Sequence, residues 1–195
     1  MINLENIKPA IRYLKEMTSV LYDREWLKEA DLNQPLYYMY RGVKQENNLR
    51  YDITIIPPFY LGRELVKTKG HYHQGSYQEV YQVLEGRAIY LFQRKKNDYL
   101  EDVVAIYAKA GDVVIVPPKY GHITINPGKE ILKMANWVSK KCHSDYSQIE
   151  KFGGGAYFYT INGWIKNLHY LKVPPLRIEE PKSTVPSDLS FLDQG

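Results

Sequence analysis

The sequence predicts an all-β domain, an antiparallel sandwich or barrel that follows a short, partly helical N-terminal extension. Three observations carry this expectation. Short runs rich in Val, Ile and Tyr succeed one another between residues 36 and 161. Turn residues separate them at close spacing, as in sandwiches and barrels. No stretch approaches the ~20 consecutive apolar residues of a membrane helix.

In residues 1–35, Ile7, Ile11, Leu14 and Met17 recur at helical spacing, and residues 23–30 read as a short helix with Asp23 as N-cap. The period then changes. Strands are expected over 36–43, 51–56, 79–84, 88–93, 103–107, 113–116, 123–126, 131–138 and 156–161, which makes 36–172 the β domain. Pro57-Pro58, Gln74-Gly75-Ser76, Glu85-Gly86, Asn97-Asp98, Ala110-Gly111-Asp112, Pro117-Pro118 and Asn126-Pro127-Gly128 supply turns. Residues 173–195 carry Pro174, Pro175, Pro181 and Pro186 and little periodicity. They read as an extended tail, lying on the barrel, on a partner subunit, or loose at the surface.

Composition narrows the function classes. The 195 residues are 44% apolar and 25% charged, ordinary for a globular chain. The net charge of +4 is mild and spread out, so neither nucleic acid nor membrane is expected as a partner, while a small phosphorylated molecule suits it. Met1 to Glu5 shows no basic-then-apolar leader, and Cys142 is the lone cysteine. A reducing cytoplasm is therefore expected, without disulfide or four-thiolate zinc. Most of the 18 tyrosines are accounted for by strand propensity, and the rest suit a half-wet pocket.

The chemistry concentrates in two segments. Gly70-His71-Tyr72-His73 leads through a turn to Glu79 and then Gly86. On a strand, positions i and i+2 share a face, so His71 and His73 present two imidazoles together, and a returning strand brings Glu79 to the same side. The second segment runs Gly111 … Pro117-Pro118 … His122 … Asn126 and adds a third imidazole. Three imidazoles and one carboxylate suit a divalent ion with open positions, the pattern of a catalytic or ligand-binding metal. A lone His-x-His pair is common and says little; the two half-motifs together are specific.

These two segments resemble the paired motifs of the cupin superfamily, which implies a jelly-roll β-barrel with the metal at its mouth. A longer stretch is similar to the archaeal, cupin-type glucose-6-phosphate isomerases. It runs Thr54 … Pro58 … Gly62-Arg63-Glu64 … Thr68-Lys69-Gly70-His71-Tyr72-His73 … Glu79-Val80-Tyr81 … Leu84-Glu85-Gly86, and later Val116-Pro117-Pro118 … His122 … Asn126 and His143-Ser144-Asp145-Tyr146. The resemblance implies metal ligands His71, His73, Glu79 and His122, with Fe2+ expected first and Mn2+, Ni2+, Zn2+ or Co2+ as alternatives. It further implies catalytic roles for Glu79, His143 and Tyr146. Substrate contacts are implied for Tyr37, Thr54, Thr68, Gly70, Tyr81 and Trp137, with charge added by Lys67 or Lys69. A homodimer is expected by the same analogy. Three departures stand out. Glu79 is one residue closer to His73 than in the family, Trp137 replaces a Tyr, and Ser144 is inserted beside His143.

The activity so implied is aldose–ketose isomerisation between glucose 6-phosphate and fructose 6-phosphate, by a cis-enediol or a hydride shift. Alternatives are the same reaction on mannose 6-phosphate, an iron dioxygenase built on the same ligands, and a sugar-phosphate-binding cupin without activity.

Overall fold

The computed structural model describes residues 4–96 and 99–195, so the Asn97-Asp98 turn and Met1 to Asn3 lie outside the described residues. Strands β1 (Ala10–Tyr13), β2 (Pro35–Glu46) and β3 (Leu49–Ile56) precede the short strands β4 (Tyr60–Leu61), β5 (Glu64–Leu65) and β6 (Tyr72–His73). The centre of the chain is β7 (Glu79–Glu85), β8 (Arg87–Lys96), β9 (Tyr99–Lys109), β10 (Val113–Val116), β11 (Tyr120–Ile125) and β12 (Leu132–Ser139). After it come β13 (Ser144–Asp145), β14 (Tyr157–Thr160), β15 (Gly163–Lys166) and β16 (Arg177–Glu179).

One sheet has the order β1-β2-β3-β12-β7-β10, and a second has the order β11-β8-β9-β16. Residues 66–73 extend the second sheet beside β11. Thr68 N donates to Thr124 O at 2.8 Å, His71 N to His122 O at 3.2 Å, and His122 N to His71 O at 2.9 Å. Let β3, residues 66–73, β7, β8, β9, β10, β11 and β12 be numbered one to eight. The two sheets then read 1-8-3-6 and 2-7-4-5, the strand order of a jelly roll. The chain is an all-β, cupin-type jelly roll, and every expected strand is present within a few residues of its expected ends.

Pleat alternation decides what fills it. On β8, Ala88, Tyr90 and Phe92 join the core between the sheets, while Ile89 and Leu91 pack on the outer side with β14. The inner core also takes Val83 from β7, Leu132 and Met134 from β12, and Leu14 and Met17 from the N-terminal segment. Because both faces of these strands are covered, their sequences read as apolar runs rather than alternations.

The N-terminal segment corrects one expectation. Residues 10–13 form β1, antiparallel to β2, and Leu14–Glu16 and Thr18–Val20 are single 3-10 turns. The helical spacing of Ile7, Ile11, Leu14 and Met17 loses to sheet pairing, which satisfies the backbone groups of β1 on β2. The Asp23 side chain does cap a helix, accepting from Trp26 N at 3.3 Å, but that helix is only α1 (Arg24–Leu27).

Of the two lysines offered as a source of charge, Lys69 lines the cavity and Lys67 does not. It is 3% exposed and turned away from the jelly-roll interior, donating to Val20 O at 2.8 Å and to the fully buried Glu64, with its ammonium 4.8 Å from the Phe158 ring centre. Glu64 also accepts from Tyr22 N at 2.8 Å, so this pair pins the N-terminal segment to the barrel. Burial pushes the Glu64 carboxyl up, against the opposing pull of Lys67. Lys67→Met therefore strands a buried carboxylate and is expected to lower unfolding free energy by about 3–5 kcal/mol. The double variant Glu64→Gln/Lys67→Met is expected to recover most of that loss in urea titrations, because neither buried charge remains.

Candidate metal centre

Residues 66–73 and β11 face β7 and β12 across the jelly roll, and at one end their inward positions carry the polar groups Thr68, His71, His73, Glu79, Tyr81, His122 and Asn136. Gly70 opens the approach. Its φ is +80° and a side chain would run into Ile123, so the backbone passes close to β11 just before His71 and His73. The reciprocal backbone bonds between His71 and His122 bring their rings to 4.4 Å, and His73 lies 5.0 Å from His122. Glu79, at the first position of β7, enters from the opposite sheet. One donor atom from each of His71, His73, Glu79 and His122 lies within 4.8 Å of every other.

The surroundings make this set fit a divalent ion. His73 Nδ1 pairs with Tyr77 O at 2.9 Å, which leaves Nε2 facing Glu79 Oε2 at 3.2 Å. His122 Nε2 stands 3.2 Å from the same oxygen. Asn136 Nδ2 donates to the other oxygen, Glu79 Oε1, at 2.6 Å. Glu79 Oε2 itself is buried without a hydrogen-bond partner, as is His122 Nδ1. Burial works against the carboxylate form, yet His122 and His73 hold Glu79 well below the usual carboxylate range. Burial and the neighbouring His122 push His71 well below the ordinary imidazole value, and burial lowers His122 too. His73 goes the other way: burial opposes its charge, but Cys142 and Glu79 bring it up to about 10. An ionised, half-satisfied carboxylate among converging imidazoles is a donor set that a cation completes.

The same cavity is lined by Tyr37, Thr54, Thr68, Lys69, Gly70, Tyr81 and Tyr146, all of them named in the sequence reading. The Tyr146 ring sits 5.5 Å from that of His71, with the cations of Arg12 and Lys69 each 5.6 Å from its centre. Two expected residues are elsewhere. Trp137 points to the outer face of β12 and packs on Tyr51 at 4.9 Å, while its neighbours Asn136 and Val138 face the cavity. His143 is exposed, and its carbonyl accepts from Gln74 N at 2.9 Å; Cys142 and Ser144 line the cavity instead. Both corrections are one-residue errors of pleat phase.

Sequence reasoning also missed Asn136 and a charged cluster at the wall. Asp52 is fully buried, with Arg41 Nη1 at 2.8 Å and Arg50 Nε at 3.1 Å. The register Asp52↔Asn136↔Tyr81 places these three side by side across β3, β12 and β7. Their phase could be read only from Glu79 two positions before Tyr81.

A family model described as glucose-6-phosphate isomerase matches residues 11–174. The chain belongs to the glucose-6-phosphate isomerase family. It is 31% identical to the glucose-6-phosphate isomerase of Thermococcus litoralis over 166 residues, 82% of this chain and 85% of that one. Identity to the Pyrococcus furiosus glucose-6-phosphate isomerase is also 31%, over 84% of this chain and 87% of the relative. Among solved structures, an oxalate decarboxylase from Lactobacillus farciminis superposes at a TM-score of 0.45 with 17% identity, over 69% of this chain and 31% of that chain. That likeness adds nothing to the fold already read from the strand order.

Asn136→Leu removes the donor to Glu79 Oε1 and is expected to weaken binding of a divalent ion about 10–100-fold in chelator competition. The circular dichroism of the sheet should stay unchanged.

Proposed function

We propose that this chain interconverts glucose 6-phosphate and fructose 6-phosphate in the cavity between its two sheets. The observation that carries the proposal is that one cavity holds both parts the reaction needs. His71, His73, Glu79 and His122 form a metal-competent cluster, and a set of hydroxyl and amide donors lies beside it. A divalent ion held by those four residues would draw electron density from the sugar's O1 and O2 and steady the negative charge that isomerisation develops there.

The protein's own groups do the rest. Thr68 Oγ1 accepts from Thr124 N at 2.9 Å and Tyr37 OH accepts from Lys69 N at 3.2 Å. Each hydroxyl thus spends a lone pair internally and keeps its proton to donate to a phosphate oxygen. Thr54 and the Gly70 amide add donors, and Lys69, paired with Glu150 at 2.5 Å, adds charge at the rim. Burial, and after it the Glu79 charge, pushes the Tyr81 hydroxyl well above its ordinary value, so it remains a donor. In the enediol route Glu79 takes the proton from one carbon and returns it to the next. Asn136 holds its Oε1 and thereby fixes the orientation of the carboxylate, whose Oε2 faces His73 and His122. In the hydride route the hydrogen passes directly between C1 and C2, and Glu79 acts as a ligand only. Tyr146, against His71, is suited to steadying the sugar oxygens. His143, whose ring lies outside the cavity, drops from the catalytic set.

The ion we expect first is Fe2+, with Mn2+, Ni2+, Zn2+ or Co2+ as substitutes that the same donors accept. We place the enzyme in the cytoplasm as a homodimer serving glycolysis and gluconeogenesis. The reaction itself belongs to those routes, and a chain with a single thiol suits a reducing compartment.

The test is conversion of glucose 6-phosphate by purified protein before and after chelation, with each ion added back. Activity should vanish with chelator and return with Fe2+, and Thr68→Val should raise KM about tenfold, the loss of one hydrogen bond to a charged group. No turnover by the metal-loaded protein would overturn the reading for this substrate, and mannose 6-phosphate would be assayed next.

A further inference from the structure

The family match ends at residue 174, yet the chain beyond it is not loose. Tyr157 OH donates to Pro174 O at 2.7 Å, and β16 runs parallel to β9, with Arg177 bound to Asp102 through two bonds of 2.9 and 2.8 Å. Lys182 and Val113 then exchange backbone bonds at 2.7 and 2.8 Å, which carries the tail past the edge of the other sheet. It ends across that sheet's outer face, with Leu192 fully buried against Leu49, Val80 and Val113.

We infer that residues 185–195 are a positioning strap that braces, from outside the barrel, the loop and strand carrying the ligands His73 and Glu79. This rests on the metal reading above and deepens it. The His73 ring is oriented on its Nδ1 side by Tyr77 O at 2.9 Å, beside its contacts with Cys142 and Glu79, so what holds Tyr77 helps to hold that ligand. The loop of residues 74–78 has a backbone tie at Gln74 N to His143 O, and it turns through Gly75 at φ +83°. The strap touches this loop at Tyr77 and Gly75, while Gln74 stays exposed. Gly195 lies so close to the Tyr77 ring that a side chain on it would run into the ring, and Gly75 faces both.

Gly195 is held there by its neighbours. Asp193 Oδ2 accepts from Asn48 Nδ2 at 2.7 Å and Oδ1 from Ser139 Oγ at 2.9 Å, with Lys141 Nζ at 3.3 Å. These tie the strap to the turn before β3 and to the end of β12. Leu192 meanwhile packs on Val80, the residue after Glu79, so one short segment backs two ligands that enter from different directions. Groups that orient a ligand without touching the ion commonly change its affinity 10–100-fold, and a contact one step further out is expected at the lower end of that range.

The test is calorimetric titration of Mn2+ into full-length wild type, Asp193→Ala and Leu192→Asp at 25 °C, with thermal midpoints measured alongside. Asp193→Ala cuts surface ties only; should Leu192→Asp fail to fold, it decides alone. The expected result is a folded Asp193→Ala protein whose Mn2+ Kd is weaker by about tenfold. Asp193→Asn, which still offers an oxygen to Ser139, should fall between it and wild type. A lower midpoint with unchanged Kd means that the strap only packs, and overturns the inference. Absence of Mn2+ binding by wild type overturns the metal reading itself, a distinct result.

Discussion

The arrangement depends on one buried carboxylate. Glu79 is 4% exposed, and an ionised carboxylate taken out of water costs several kcal/mol unless its oxygens find partners. Asn136 satisfies Oε1, and the His73 and His122 imidazoles face Oε2 without completing it. That imbalance explains why residues distant in sequence must meet. His71 and His122 come from neighbouring strands of one sheet, and Glu79 and Asn136 from neighbouring strands of the other. Only the jelly roll brings the four to one place, and its strand order is therefore part of the chemistry.

The other cavity charges are compensated in part, since two guanidiniums share one carboxylate and leave that wall net positive. Asp52 is paired with Arg41 and Arg50 and also accepts from Gly42 N at 2.7 Å; Lys69 is paired with Glu150. Free hydrogen-bond donors then come mainly from hydroxyl groups whose lone pairs are already engaged, as at Thr68 and Tyr37. Such donors keep their direction whether a ligand is bound or not, which lowers the entropy lost on binding. The buried Glu64–Lys67 pair works at a different level, fastening the N-terminal segment over the barrel while Leu14 and Met17 fill its core.

Much of the site was legible because β geometry and turn chemistry are local. His-x-His on an extended segment places two rings on one side whatever the rest of the chain does, and the turn to Glu79 is short enough to return at once. Thr54, Thr68, Gly70 and Tyr81 were placed by resemblance and do line the cavity. Trp137 and His143 were not legible. Around them both faces of the chain are covered or irregular, so no polar–apolar alternation marks the phase. A slip of one position exchanged Trp137 for Asn136 and His143 for Cys142. The helical spacing of residues 7–17 misled for a related reason: side-chain period competes there with backbone pairing to β2, and the pairing prevails.

The sequence alone determined the all-β class, most of the turns and the four residues that cluster as a candidate metal site, since each follows from neighbours a few positions apart or from a motif of fixed spacing. The tertiary structure decided which face of β12 looks inward, which lysine is buried in an ion pair, and where residues 173–195 run. Those outcomes depend on contacts between segments far apart in the chain. Asn136 reaches Glu79 across a strand pairing, Lys67 meets Glu64 and Val20 under the N-terminal segment, and Gly195 meets Tyr77 only after the tail has passed around the barrel. No local pattern encodes such contacts; they exist once the strands have chosen their partners and register.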